Sequence, residues 1–445
     1  MSSVVKMWHK LTGLLSAQSG NTLVRSAAPH GEGRDEPQTE AQPKITTDQS
    51  HDPSLECPPE QAVAEESEDI PDERGRQPVP GVTLFHTFKG HASAVRCVAF
   101  DPEGLTLASG SSDSTIKLWD LNSGKLLNTL EGRFQNSVFS LAFDFEGRTL
   151  VSGTNRGFIE QREMSRGEVF RAFERRCHGT VFSVAIDPLG RWLAGATDHG
   201  VIELWEATSG EVLRMLEGHQ LSVYSVAFDP EGRTLASGGN DKTIKLWDVS
   251  RSKLLRTLSG HTGTVRSVAF DPTGLTLASG STDTTVNLWN VKSGTLLRSL
   301  KGHTSRVEAV AYSCDGTLLA SKCRDGTIRI WNCETWETVA IIPEPTFSKW
   351  WIPTLAFHPS LPLLATAGSE PEAPEELKSR RVHLWELDID LLLGSDVPVP
   401  TDSEVNARAV LAGDNGVGRS EDKPRDHLQA DSPNGFNVRT ELLDL

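Results

Sequence analysis

The sequence predicts an all-β protein in which seven similar units stack around one axis. Three observations lead there. One phrase recurs, as "GHASAVRCVAFDPEGLTLASGSSDSTIKLWD", "GHQLSVYSVAFDPEGRTLASGGNDKTIKLWD" and "GHTGTVRSVAFDPTGLTLASGSTDTTVNLWN", and self-similarity at such a period marks a repeat architecture. Tryptophans fall at Trp119, Trp205, Trp247, Trp289, Trp331 and Trp385, with Arg162 in the slot between the first two, giving intervals of 42 or 43 residues and a last one of 54. Within a unit, "VRSVAF", "LTLASG", "TIKLW" and a fourth run such as "KLLRTL" have strand length, and "DPTG" and "STDT" between them are turn chemistry. Four short strands cannot bury a core singly, so neighbouring units must pack on one another.

The chain of 445 residues divides into three regions. Residues 1–81 carry a net charge of -7 and are rich in Pro, Glu, Asp, Gln and Ser over 25–80; such a segment buries too little apolar area to offset its ordering entropy and reads as a disordered acidic linker. At its start Val4, Met7, Trp8, Leu11, Leu14 and Leu15 recur at helical spacing. They read as a frayed tail, with a short amphipathic helix over 4–15 that touches a partner or membrane surface as the alternative. Residues 82–387 hold the repeats and carry -2, and residues 388–445 carry -7. A neutral body between acidic tails lacks the concentrated basic surface a phosphate backbone needs, which argues against nucleic acid as a general partner. No stretch approaches the ~18 apolar residues of a transmembrane segment. The six cysteines (Cys57, Cys97, Cys177, Cys314, Cys323, Cys333) show no paired ligand spacing and read as free thiols in a reducing cytoplasm.

From Gly-His at one end of a unit to Trp-Asp at the other, these residues resemble the WD-repeat β-propeller family, of a bacterial type by the high similarity among units. The resemblance covers residues 82–387 and implies a seven-bladed β-propeller of four-stranded antiparallel blades; the N- and C-terminal tails outside it read as disordered. The run "VTLFHTF", Val82 to Phe88, precedes the first Gly-His, and no clear fourth strand follows Trp385. The last blade would then take its outer strand from the N-terminal end of the domain, which removes open edges; "LDIDLLLG" is a weaker competitor for that edge.

The resemblance also implies buried hydrogen-bonded tetrads. The matching sets are His91, Ser109, Asp113 and Trp119; His219, Ser237, Asp241 and Trp247; His261, Ser279, Asp283 and Trp289; and His303, Ser321, Asp325 and Trp331. An indole N–H can donate to a hydroxyl, the hydroxyl to an imidazole nitrogen, and the other imidazole N–H to a carboxylate. A nucleophilic triad must face substrate, so a Ser-His-Asp set repeated around a ring reads as internal wiring, and no catalytic residue, cofactor or metal is expected. Blade two has Arg133, Arg156 and Arg162 for His, Asp and Trp, which predicts that packing alone holds it. Blade three offers His178 and Asp198 displaced by one position, with Gly195 for Ser; with His199 these could be imagined as a metal site, but a structural pair is the simpler reading. Blade seven lacks Gly-His and inserts "GSEPEAPEELKSRR", which reads as a contact element or a solvated loop.

Just after each Gly-His turn, one position varies within the repetitive frame: Arg96, Phe139, Phe182, Tyr224, Arg266, Glu308 and Pro353, with Trp350 and Trp351 close to the last. Aromatic and Arg side chains dominate binding hot spots. They predict a protein or peptide site centred on Phe139, Phe182 and Tyr224 and flanked by Arg96, Arg266, Arg306, Arg324 and Trp351; the alternative is that the aromatics pack under neighbouring loops.

The segment "NARAVLAGDNGVGRS" resembles the first strand and phosphate loop of a small GTPase-like domain, with Gly413 and Gly418 facing phosphate and Ser420 on magnesium. Arg419 stands where that motif requires Lys, and its planar fork does not reproduce a compact ammonium. Too few residues follow for the further βα units of such a domain. The segment therefore reads as a vestigial remnant, and GTP binding is not expected. The expected function is a non-catalytic, cytoplasmic protein-interaction scaffold; the alternative is a regulatory or sensor module of a GTPase-linked signalling system.

Overall fold

The computed structural model describes residues 79–131, 136–173, 179–344, 354–368 and 380–394, all within one compact unit, Glu73–Leu445. The segments read as acidic linker, amphipathic helix and vestigial phosphate loop lie outside these residues. The described strands form seven four-stranded antiparallel sheets. Six are continuous in sequence, over residues 95–131, 138–173, 181–217, 223–258, 265–300 and 307–343. These are blades one to six.

Blade seven is assembled from both ends of the domain. Strands Leu355–Phe357, Leu363–Gly368 and Arg381–Leu387 supply three of its members, and Val82–Lys89 adds the fourth as an antiparallel partner running from Val82 opposite Leu387 to Lys89 opposite Arg381. The competing segment does not extend the sheet. It turns into a short helix, Ile389–Leu393, because Asp388 caps it by accepting the Leu391 N–H, while Leu392 is buried.

The innermost strands of the seven blades neighbour one another around a closed ring. Cores sit between blades, where one sheet's apolar face meets the next. Ala108, Ile116, Leu118 and Leu130 of blade one pack on Val138, Leu141 and Leu150 of blade two, for example. The same junction recurs at blades four and five, where Ala236, Ile244, Leu246 and Leu258 meet Val265, Val268, Leu277 and Trp289. The second strand of a blade is covered on both faces, so "TLASG" runs apolar and small rather than alternating. Fully burying a Val or Leu is worth roughly 1.5–3 kcal/mol, and the junctions from blade one through blade seven each collect several.

Hydroxyls on the innermost strands add a second inter-blade tie. Ser140, Ser183, Ser225 and Ser267 each accept the backbone N–H of the next blade, at Val184, Val226, Val268 and Val310, over 3.0, 3.3, 3.1 and 3.1 Å. Thr354 does the same across the closure, accepting from Val98 at 3.2 Å. His358 completes this junction: it is buried and bonds the Gly104 carbonyl at 2.8 Å.

Candidate partner-docking site

Each of the first six innermost strands breaks register at its second residue. Val95 pairs with Ser111 and Cys97 with Gly110, leaving Arg96 as the extra residue. The same step isolates Phe139, Phe182, Tyr224, Arg266 and Glu308. A bulge re-aims the side chain of its unpaired residue, and here it does so six times at one level of the ring.

The re-aimed side chains touch in sequence from blade to blade. The Arg96 guanidinium lies 5.0 Å from the centre of the Phe139 ring. Phe139 stacks on Phe182 at 6.3 Å and 13°, and Phe182 meets Tyr224 at 4.7 Å. Arg266 covers the other side of Tyr224 at 4.2 Å and holds the Glu308 carboxylate at 2.8 Å, with Arg324 at 3.9 Å from the same carboxylate. Arg306 is exposed and is tied to this group through the backbone, its carbonyl accepting from the Arg324 N–H. These aromatics therefore pack on one another, each half-buried. Burial lowers the Arg96 guanidinium to about 10, still cationic at neutral pH. Trp350, Trp351 and Pro353 lie outside the described residues.

Beneath this arc, four blades carry the same chain of hydrogen bonds. In blade four the Trp247 indole donates to Ser237 Oγ at 2.8 Å, His219 Nε2 meets that oxygen at 2.8 Å, and His219 Nδ1 meets Asp241 at 2.9 Å. The corresponding links in blade five are 2.8, 2.7 and 2.8 Å. Blades one and six match them through Ser109 and Ser321. An ionised Asp only accepts, which puts the imidazole proton on Nδ1 and makes Nε2 the acceptor of the serine proton. Burial alone would raise the Asp113, Asp283 and Asp325 carboxyls, but hydrogen bonds from the imidazole and a neighbouring Thr outweigh it and hold all three well below the usual range. The imidazoles and serines are buried, so no hydroxyl of these sets faces a substrate.

The remaining blades differ from the sequence expectation in instructive ways. Blade two is not held by packing alone: Arg162, in the tryptophan slot, is buried, pairs with Glu160 at 2.9 Å and donates to the Glu131 carbonyl at 2.7 Å. In blade three Gly195 offers no hydroxyl, and the Trp205 indole N–H has no hydrogen-bond partner among the described residues. Asp198 caps the Thr180 N–H at 2.9 Å, and His199 stands exposed 3.6 Å from it; His178 and Arg133 lie outside the described residues.

In blade seven Trp385 donates to Thr366 at 3.0 Å, and Thr366 donates to Glu344 at 2.6 Å. Glu344 also holds His383 at 2.6 Å and pairs with Lys322, which reaches the Ala367 carbonyl. Both members of the Lys322–Glu344 pair are fully buried. Burial opposes the charge on Glu344, but Lys322 and His383 outweigh it and keep its carboxyl far below the usual range. Sequence reasoning missed this cluster. Its signal was Lys322, a charge in the slot that Gly110, Gly153, Gly238 and Gly280 fill elsewhere.

One set offers three ligand types: His303, Cys323 and Asp325 have ligand atoms within 4.8 Å of one another. The imidazole is committed to Ser321 and Asp325, and burial pushes the Cys323 thiol up. The arrangement is an extended hydrogen-bonded core.

A closed ring of like blades, with repeated Trp–Ser–His–Asp chains and a belt of variable side chains, defines a repeat propeller. The family described as "WD domain, G-beta repeat" matches residues 82–120, 124–159, 170–206, 210–248, 252–290 and 294–332, about half of the chain, and the chain belongs to that family. Each match starts one strand early, with the outer strand of the preceding blade. The similar proteins include nuclear distribution protein nudF of Aspergillus niger, 54% identical over 50 residues, 11% of either chain. Nuclear distribution protein PAC1-1 of Uncinocarpus reesii is 48% identical over 54 residues, 12% of either chain. A ribosome biogenesis protein BOP1 homolog of Drosophila virilis is 39% identical over 62 residues, 14% of this chain and 8% of that one. The matched stretch thus spans a small part of each relative. These relatives are fungal and insect proteins and lend no support to a bacterial type, and the family match ends well before the loop at 413–420.

Proposed function

We propose that this protein is a non-catalytic scaffold whose partners dock on the face bearing the Gly-His turns, over the arc Arg96–Phe139–Phe182–Tyr224–Arg266. The single observation that carries the reading is the run of six bulges that turns one variable residue per blade into a contiguous strip. Rigid aromatic and guanidinium groups offer area at little ordering cost, as hot spots do. The tetrads at His91, His219, His261 and His303 serve as scaffold for this strip. A cytoplasmic location belongs to the same reading, and no described helix is long and apolar enough to cross a membrane. The segment holding Gly413, Gly418, Arg419 and Ser420 lies outside the described residues and outside this reading.

Affinity capture with the full chain and with the Phe182→Ala, Tyr224→Ala double variant tests the reading. Loss of the captured proteins, with thermal stability retained, is the expected result. Unchanged capture would refute the docking site.

A further inference from the structure

Both ends of the aromatic arc already carry cations. Arg96 stacks on Phe139 at 5.0 Å and Arg266 on Tyr224 at 4.2 Å, while Arg306 stands exposed next to Arg324. A cationic side chain entering the arc would meet like charge at either end, so the ring faces are closed to the cation–π mode that bare aromatics offer. A carboxylate, in contrast, has a demonstrated seat. Glu308 occupies it, with Oε2 2.8 Å from Arg266 Nε, Oε1 3.9 Å from Arg324 Nε, and the side chain 1% exposed. Glu308 is also the only acid among the six bulge residues of the described strands. It stands in the position where the other blades aim Arg or aromatic groups at the ring.

Resting on that docking reading, we infer that the arc selects an acidic peptide segment bearing an aromatic neighbour, and that Glu308 is the specificity-determining residue that limits its affinity. The partner's ring packs on the half-buried Phe139–Phe182–Tyr224 strip between the two guanidinium groups that cap it, and its carboxylates face Arg96, whose Nε already donates to Ser112 at 2.8 Å, at one end and the Arg266, Arg306 and Arg324 group at the other. Glu308 offers that group an internal carboxylate in direct competition with the partner's. It thereby keeps the basic end of the mouth from capturing every acidic segment it meets, a specificity device that works by reducing attraction.

The test uses the full chain and three fluorescent peptides of equal length, alternating Glu-Phe, Ser-Phe and Lys-Phe, read by anisotropy. Glu-Phe should bind tightest and Lys-Phe weakest, with the Glu-Phe affinity falling severalfold as salt rises from about 50 to about 300 mM, where screening shortens to a few ångströms. Glu308→Gln should bind Glu-Phe about tenfold tighter, the scale of one charge-assisted contact, and leave Ser-Phe unchanged. Because Glu308 is buried, an exposed-site variant stands beside it: Arg306→Gln should weaken Glu-Phe severalfold without altering the melting temperature. Equal or tighter binding of Lys-Phe, no binding of Glu-Phe, or no change in Glu-Phe affinity in both variants would overturn the inference. If the charge order fails while Phe182→Ala, Tyr224→Ala still abolishes partner capture, the docking site stands and only its acid selectivity falls.

Discussion

Blades four and seven answer the same requirement with different side chains. Each must give a buried tryptophan N–H an acceptor and connect that acceptor to an anion. Blade four uses Ser237, His219 and Asp241, all from its own repeat. Blade seven uses Thr366 and then Glu344, which follows the outer strand of blade six as His219 follows that of blade three, and is balanced by His383 and by Lys322 of blade six. The hydroxyl under the indole is common to both, and everything beyond it is exchangeable. The difference lies in cost. An imidazole relay places its Asp near solvent, whereas the blade-seven version buries two full charges and depends on each having the other.

Removing one member of the buried pair should therefore separate the two blades most. Glu344→Ala strands Lys322 without its carboxylate and is expected to cost about 3–5 kcal/mol, or to prevent folding; urea unfolding followed by tryptophan fluorescence measures it. Arg162→Ala applies the same logic to blade two, where Glu160 would remain buried and alone, with an expected loss of about 3 kcal/mol. The relay is the milder case. Ser237→Ala leaves the Trp247 donor and the His219 acceptor unsatisfied, for about 1–3 kcal/mol, and a loss as large as that of Glu344→Ala would break the comparison.

Acid acts on the relay blades and on blade seven through depressed carboxyls. Asp113, Asp283, Asp325 and Glu344 have folded values below their unfolded ones. Their stabilisation is thus fully present above about pH 4–5, the unfolded carboxylate range, and is lost as pH falls below it. Melting temperatures recorded from pH 7 downward should hold and then drop steeply below that range. The smallest expected effect has the opposite sign. The residue after the tetrad Asp adopts a left-handed backbone, with Ser114 at φ 72°, Lys242 at 65° and Thr284 at 73°, where Gly200 and Gly326 serve in other blades. Thr284→Gly should stabilise by up to about 1 kcal/mol, since a β-branched residue is strained there.

The seven-bladed ring was legible because phrases of fixed length repeat, and strand-length runs that cannot stand alone must stack. The borrowed outer strand was legible too, from "VTLFHTF" preceding the first Gly-His. Blade seven's polar cluster was not, since Lys322 reaches it from the neighbouring blade and no Gly-His follows the outer strand of blade six to align Glu344 with the other units. The variable position from Arg96 to Glu308 is visible as a column in the sequence. That it is a bulge depends on which residues pair across strands, and the sequence pattern carries no mark of a skipped partner. Blade two shows a further limit: three arginines in place of His, Asp and Trp look like lost wiring until Glu160 is placed beside Arg162.

Val82 lies directly opposite Leu387, so the two chain segments leaving the propeller depart from the same end of one strand pair. Tension between them would unzip that pair one rung at a time instead of shearing all its rungs at once. A pulling experiment on the two termini should accordingly find a weak first rupture confined to the Val82–Lys89 strand, followed by stronger ones as the continuous blades give way. Any machine that threads this protein from its ends would meet its least resistant joint first.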